Sequence, residues 1–578
     1  MFIKIIFSLA IFVKIGKNKF KKKYYFIFNF KFTAYAAPIN KQSESSLSNE
    51  ATGKQLIRGE NFSNLFSVKK FLFFDEIPPK LRILIITWRE SFTESHYLLH
   101  RKLAELLASD EQNVEKVLVL AMNSNSAYQS TEEPDEYDGR LLVWTRTLID
   151  RSGNSLQWPI WEQDIAHFFL PNANNAISLQ LDFLTNCHGL IQQLLAFQFN
   201  VGIMETVAWD LSLSIFRALP TIKKFGISQS ATPTIAQWHI LGYEKIVGAM
   251  PGKDLARIGD HKFATENAIK VNPNYFRERN VNSYIKLNEQ AIKTVEEKFL
   301  EAIRQEKLSR KIFEDILIQE NFSEWEFKHR MDFFITNTQP FLDFPIVEQE
   351  IAKERSIKQK NRIIFIGGIT MPKNGALPSL SEDNKQIFES ARNKNGGVVL
   401  LSFGSVVPMH DDDAHAVAFK NIVVNLFSKQ YPQMNMIIKW GERPPIGMGD
   451  QYKKMSENIY AKAWLEQSAI LGNMPKLFIT HGGQNSINEA VKFGVPLLLF
   501  PFFADQFNNA EAMAARGVAK VLDIRSKTLE NELAEALNEI FANYSMYKQK
   551  IEELSNKLSS IDIAKEFLGA FRQLRKTL

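Results

Sequence analysis

Apolar and polar positions alternate between two periods along this chain, and the clearest stretches pair a short strand with a following helix. Lys80-Leu81-Arg82-Ile83-Leu84-Ile85-Ile86-Thr87 is continuous and rich in β-branched residues, which predicts a buried strand. After a loop from Trp88 to Ser95 the period becomes helical over His96 to Leu107, with Ser95 as the expected cap. The same succession recurs late in the chain. Lys476 to Thr480 is short, mostly apolar and followed by glycine, so it fits a buried parallel strand ending at His481. Gln484 to Phe493 then carries Ile487, Ala490 and Val491 on one helical face, with Gly494 as its stop, and Val495 to Phe503 is the next strand. Beyond Lys548, apolar residues from Ile551 to Leu568 recur among charges, which predicts amphipathic helices docking back onto the body.

The turn between the late strand and its helix carries candidate chemistry. Gly482 and Gly483 have no Cβ, so the backbone can turn sharply there and a ligand can approach it closely. Free amides at the helix start point back toward His481 and create a partial positive charge suited to a phosphate. Ala504-Asp505-Gln506 closes the following strand, and strand carboxyl ends are where open α/β sheets hold ligands. Ser486-Ile487-Asn488-Glu489 equally fits a capping box, which needs no ligand. The order and spacing of Trp464, Gln467, His481, Asn485, Glu489, Asp505 and Gln506 favour a nucleotide site over that simpler reading.

The block Trp464 to Asn508 resembles the signature of the UDP-glycosyltransferases, in a style closest to invertebrate members. Asn337 to Pro345, Ile366-Gly367-Gly368-Ile369 and Leu400 to Ser405 also resemble family segments, so the similarity runs over about residues 80 to 555. The resemblance implies two Rossmann-like α/β domains facing across a cleft, the GT-B type, and an inverting transferase. Trp464 would stack on uracil, as a flat ring offers dispersion and desolvation to a flat base. The backbone around Leu465, with Gln467, would hold the base edge and ribose. His481, Gly483, Asn485, Ser486 and Ser405 would hold the diphosphate. Glu489 would take the ribose hydroxyls, since a carboxylate accepts two hydrogen bonds at once, and Asp505 and Gln506 would read the sugar. Glu466 stands where the family usually has proline.

In the amino-terminal half the resemblance implies a catalytic base at Ser95-His96. Imidazole titrates near operating pH, so His96 suits that task, although His100 lies one turn later. A carboxylate should orient it. Glu205 occupies the expected place, and Asp210 is a reserve because glutamate is longer than the aspartate of many relatives. The implied reaction is a single displacement from a UDP-sugar to a hydroxyl of a small lipophilic acceptor. Glucose is favoured over glucuronic acid because no arginine stands near Asp505-Gln506 in the sequence. No metal or other cofactor is implied: Asp411-Asp412-Asp413 reads as a solvated turn or helix start, as sequence neighbours rarely converge on one hard cation. A nucleotide-sugar-binding protein without turnover is the alternative, on the strength of the departures at Glu205 and Glu466.

The 578 residues exceed one hydrophobic core, and the patterning divides them into an acceptor domain over 80–346, a charged linker over 347–361, a donor domain over 362–547 and the closing helices over 548–578. Residues 1–36 read as a signal peptide with Ala34-Tyr35-Ala36 at its cleavage site, a retained anchor being the alternative, and 37–79 as a polar leader. The expected location is the secretory pathway, in the endoplasmic reticulum lumen or on its membrane, with peripheral membrane contact left open. No run near Leu578 has the ~20 apolar residues of a spanning anchor. Sequons at Asn61, Asn321 and Asn543 suit that compartment, and the single cysteine, Cys187, excludes an intrachain disulfide. The formal charge of +6 owes much to lysines between Lys4 and Lys31, so no nucleic-acid partner is expected. Phe183, Leu184, Leu194, Leu195 and Phe197 read either as the lining of a greasy acceptor cleft or as ordinary helix core.

Overall fold

Strands buried on both faces need helices on both sides, and a parallel sheet supplies that arrangement. In the computed structural model β1 (Leu81–Trp88) is such a strand, with Leu81 and Ile83 to Ile86 all fully buried. The structure describes residues 78–89, 94–123, 131–132, 137–147, 188–205, 215–216, 219–252, 255–282, 331–356, 363–372, 379–405, 407, 409–441 and 450–578. The expected signal peptide, nearly all of the polar leader, Asp210, Cys187, Phe183, Leu184 and the sequons at Asn61 and Asn321 lie outside them.

The first sheet is built from β1, β2 (Val114–Asn123), β3 (Thr131–Glu132), β4 (Leu141–Thr147), β5 (Val201–Glu205), β6 (Lys224–Gln229), β7 (Met331–Thr336) and β8 (Ile363–Phe365). Its order is β3-β4-β2-β1-β5-β6-β7-β8, parallel throughout except for the edge strand β3. The second sheet holds β9 (Val398–Ser402), β10 (Asn435–Lys439), β11 (Lys453–Ser456), β12 (Ile459–Lys462), β13 (Leu477–Thr480), β14 (Leu497–Leu499) and β15 (Ala519–Val521). Its order is β11-β12-β10-β9-β13-β14-β15, again with one antiparallel edge strand, β11. Both sheets therefore reverse strand order at their centres, between β1 and β5 and between β9 and β13. Each is a Rossmann-like doubly wound sheet with a crevice at that reversal.

Three boundaries differ from the sequence reading. Charged residues at the start of the expected linker instead lie in a helix, Pro345–Ser356, because Ile346, Val347 and Ile351 form a buried stripe along it. Strand β8, expected to open the second domain, pairs with β7 and completes the first sheet. Gly367 just beyond it packs on the backbone of Thr338, where a Cβ would lie 2.6 Å from the carbonyl carbon. Ser95 lies within a helix that already begins at Glu94 rather than capping it.

The closing helices serve both halves. Tyr544–Ser559 buries Ile551, Leu554 and Leu558 in the core of the second sheet. Ile563–Arg575 returns to the first sheet, where Phe567 and Phe571 join Ile83, Ile85 and Phe333. Arg572 pairs with Asp110, and Arg575 donates to the main chain of Pro78 and Pro79. Among the described residues no helix is long and apolar enough to cross a membrane. Phe567→Ala should cost about 3–5 kcal/mol by opening a cavity in a fully buried site, measured as a lowered urea midpoint for the transition of the first half.

Candidate active site

The register between β1 and β5, Ile86 against Met204, brings Glu205 beside Thr87 at the reversal of the first sheet. Glu205 is 1% exposed, and a buried carboxylate needs partners. Its Oε2 accepts from Thr87 Oγ1 at 2.8 Å and from the Trp88 amide at 3.0 Å, while Oε1 meets His96 Nδ1. Burial raises the Glu205 pKa, but the charge and hydrogen bond of His96, with help from His100 and the Trp88 amide, outweigh it and bring it down to about 2. The Nδ1 proton is thus directed at a carboxylate, which leaves Nε2 as the basic atom of neutral His96. Ser230 Oγ lies 3.0 Å from Nε2. The extra methylene of Glu205 is absorbed without loss of contact. His100 is fully buried, with Nδ1 on the His96 carbonyl at 2.8 Å and near Thr87 Oγ1, and burial lowers its pKa. It supports the turn and does not open to the cleft.

The second group gathers at the reversal of the other sheet. Strand β13 ends at Thr480, one residue before the expected His481, and Gly482 beyond it has φ +87°, a left-handed conformation that costs glycine nothing. The imidazole lies between two glycines: a Cβ on Gly404 would sit 2.8 Å from its Cε1 and one on Gly483 2.5 Å from its Nε2. Burial, with the charge of Lys439, lowers the His481 pKa to about 4, so the ring is neutral near pH 7. The helix Gln484–Lys492 begins here with Gly483 as N-cap and no side-chain cap. The capping box therefore does not form. Ser486 and Glu489 instead meet Gln467, whose Nε2 is 3.3 Å from Ser486 Oγ and 2.5 Å from Glu489 Oε2, and Ser468 also donates to Glu489. Burial raises the Glu489 pKa against those two hydrogen bonds.

Trp464 is 41% exposed, and its amide is fixed by Asp450 Oδ2 at 2.7 Å, while Leu465 beside it is buried. Glu466 holds the turn from outside. Its Oε2 accepts from the Ser381 amide at 3.1 Å and from Asn384 Nδ2 at 3.2 Å, at the start of the helix Glu382–Asn393. Ser405 is exposed in the turn after β9. The strand expected over Val495 to Phe503 is confined to β14, Leu497–Leu499, and Ala504, a strained non-glycine residue at φ +51°, opens the helix Asp505–Ala515, so Asp505 and Gln506 lie in its first turn. Asp505 accepts from Asn509, and Gln506 Oε1 accepts from the Phe502 and Phe503 amides.

Lys439, Ser230, Asn337 and Asp450 join the site without having been singled out in the sequence. Lys439 ends β10 beside β9, donates to the Gly404 carbonyl and lies 5.2 Å over the Trp464 ring. A lysine at a strand carboxyl end was the signal that could have marked it. Arg525 is distant from Asp505-Gln506 in sequence, yet it donates to the Phe502 carbonyl at 3.2 Å. Leu194 is fully buried in the first core with Leu195 and Phe197 packed against it, in agreement with the plain core reading. Asp413 caps the helix Ala414–Gln430 and Asp411 pairs with Lys420 and Trp440. Among the described residues no three His, Cys, Asp or Glu side chains converge as metal ligands would.

Residues 356–561 match the family model described as UDP-glucoronosyl and UDP-glucosyl transferase. A UDP-glucuronosyltransferase of Pleuronectes platessa is 33% identical over 195 residues, covering 33% of this chain and 37% of that protein. UDP-glucuronosyltransferase 1A6 of Homo sapiens is 31% identical over 200 residues, 34% of this chain and 33% of that one. The chain thus spans about a third of the length of these curated relatives in the match. Among solved structures, the spinosyn forosaminyltransferase SpnP aligns over 86% of this chain and all of its own, at 13% identity and a TM-score of 0.49. The calicheamicin glycosyltransferase CalG4 aligns over 86% of this chain and 98% of its own, at 12% identity and a TM-score of 0.48.

Acid should destabilise the fold in two stages. His481, with a folded pKa below its ordinary 6.5, contributes stability that is lost as pH falls from about 6.5 toward 4. Glu205 contributes stability present above its ordinary 4.5 and lost as pH falls toward 2. Urea midpoints of His481→Gln should therefore fall less than those of the wild type between pH 7 and 4.5; equal slopes would remove His481 as the source.

Proposed function

We propose that this chain, through residues 356–561 a member of the UDP-glycosyltransferase family, transfers a hexosyl group from a UDP-sugar to a hydroxyl of a small lipophilic acceptor. The observation that carries the reading is the His96–Glu205 pair at the reversal of one sheet, combined with a neutral histidine and a helix start at the reversal of the other.

In this reading His96 Nε2 takes the proton of the acceptor hydroxyl, which enters where Ser230 Oγ now lies. Glu205 keeps the Nδ1 proton in place and stabilises the imidazolium as it forms. The acceptor oxygen bonds to the anomeric carbon as the bond from that carbon to the diphosphate breaks, and the electron pair leaves on UDP. Attack from the face opposite the leaving group inverts the anomeric centre. The amides at Gly483 and Asn485, with His481, Ser405 and Ser486, receive the developing phosphate charge. Uracil stacks on Trp464 beside Leu465 and Gln467, Glu489 holds the ribose, and Asp505 and Gln506 read the sugar hydroxyls. Glucose, favoured by the sequence, and glucuronic acid are the donors to separate by assay.

Purified protein should release UDP from one of UDP-glucose and UDP-glucuronic acid in the presence of phenolic or sterol acceptors. His96→Ala should lower kcat by about 10²–10⁴ while the Kd for UDP stays within about twofold. A wild type that binds UDP but turns over with no acceptor would instead make the chain a nucleotide-sugar-binding protein.

A further inference from the structure

Asn337 follows β7 of the first sheet, yet it is bonded to the helix start of the second. Its side chain is fully buried. Its Nδ2 donates to the Ser230 carbonyl at 3.2 Å and to Asn485 Oδ1 at 2.8 Å, and its own carbonyl and Oδ1 accept from Asn488 Nδ2 at 3.1 and 3.3 Å. Gln484 Nε2 donates to Asn488 Oδ1 at 3.1 Å.

Carboxamides can be turned end for end, so their orientation has to be fixed by neighbours of known polarity. Two main-chain carbonyls do so here, because a carbonyl can only accept. The Ser230 carbonyl requires the NH2 end of Asn337, and the Asn337 carbonyl requires the NH2 end of Asn488. With both fixed, Asn337 presents a donor to Asn485, and Asn485 must answer with its oxygen. The NH2 end of Asn485 is then turned away from Asn337, at the first turn of the partly exposed helix start. A donor in that position suits an anion, whereas the reversed amide would present an oxygen to it.

We infer that Asn337 is a positioning residue for the donor diphosphate: it locks the carboxamide of Asn485 with its NH2 end toward the phosphates, so that one domain sets the polarity of the other domain's anion site. This rests on the reading in which Asn485 contacts the diphosphate. The same Asn337 amide holds the loop of Ser230, whose hydroxyl touches His96, so the donor face and the base share one buried anchor.

The test is calorimetric titration of the full chain with UDP and with uridine. Asn337→Asp replaces the donor by an acceptor facing both Ser230 O and Asn485 Oδ1, and should weaken UDP binding about tenfold or more, with Asn337→Leu weakening it about threefold. Uridine, which has no phosphate, should bind all three proteins alike. In an Asn485→Ala background Asn337→Leu should have no further effect, because its route of action is gone. Should Asn337→Asp fail to fold by circular dichroism, Asn337→Leu, similar in volume, carries the same comparison. Equal UDP affinities for wild type and both Asn337 variants overturn the inference, as does an undiminished Asn337→Leu effect in the Asn485→Ala background. Wild-type binding that survives Asn485→Ala unchanged takes the diphosphate off Asn485 and overturns the inference while leaving a UDP site in place. A wild type that binds no UDP overturns the functional reading itself, and the inference with it.

Discussion

Reversal of strand order is the constraint on which this molecule is built. In a doubly wound sheet the helices on either side of the reversal go to opposite faces, and the strand ends between them are left open. This chain does that twice. At the first reversal β1 and β5 deliver Thr87, the Trp88 amide and Glu205, and the helix that follows β1 swings His96 over them. At the second, β9 and β13 deliver Gly404, Ser405 and His481, and the helix that follows β13 aims its free amides at the same opening. Neither crevice needs an irregular core to exist. Both are consequences of topology, and the side chains then give them different character, an imidazole held on a buried carboxylate in one and a neutral imidazole before a helix start in the other.

The contrast between the two histidines follows from their neighbours. His96 has a buried carboxylate on Nδ1, a partner that stabilises the imidazolium and so fits a group meant to gain a proton. His481 is buried between Gly404 and Gly483, and that burial, with the charge of Lys439, disfavours a charge on the ring and holds it neutral. A neutral imidazole can still donate a hydrogen bond to an anion without bringing a titrating charge of its own. Two residues of one type are therefore given opposite charge preferences through environment alone.

Much of this was legible in the sequence. Apolar runs at Leu81 to Thr87 and Leu477 to Thr480 marked strands, and what followed each run marked its open end, because strand period and glycine turns act locally. The pairing of His96 with Glu205 was expected only from the family resemblance, since no local pattern links two positions 109 residues apart. Other features needed three dimensions. The first sheet captures Ile363 to Phe365 across a charged stretch that looked like a linker, since edge pairing depends on register with β7 and leaves only three residues of signal. Ser486 and Glu489 satisfy the capping-box pattern, yet Gln467 and Ser468 claim both side chains from another helix. Lys439 could have been marked by its place at a strand end, whereas Asp450 carries no local pattern and reaches the Trp464 turn only in the folded chain.

Glu466 stands where the resemblance expects proline, and its neighbours show how such a change can be absorbed. A proline would hold the base turn by fixing φ near −65°. Glu466 already has φ −75°, and its carboxylate is tied to the Ser381 amide and Asn384, which in turn accepts from the Tyr452 hydroxyl. Asp450, two residues before Tyr452, holds the Trp464 amide from the other side. The turn is thus restrained by hydrogen bonds from two segments instead of by a ring within the chain. An exposed carboxylate bonded to two N–H groups is a weaker brace than a covalent ring, being open to water and salt. The rigidity of the turn that carries Trp464 therefore belongs to Asp450, Glu466 and the helix Glu382–Asn393 together, and substitutions at Asp450, Ser381 or Asn384 should loosen that turn from outside it.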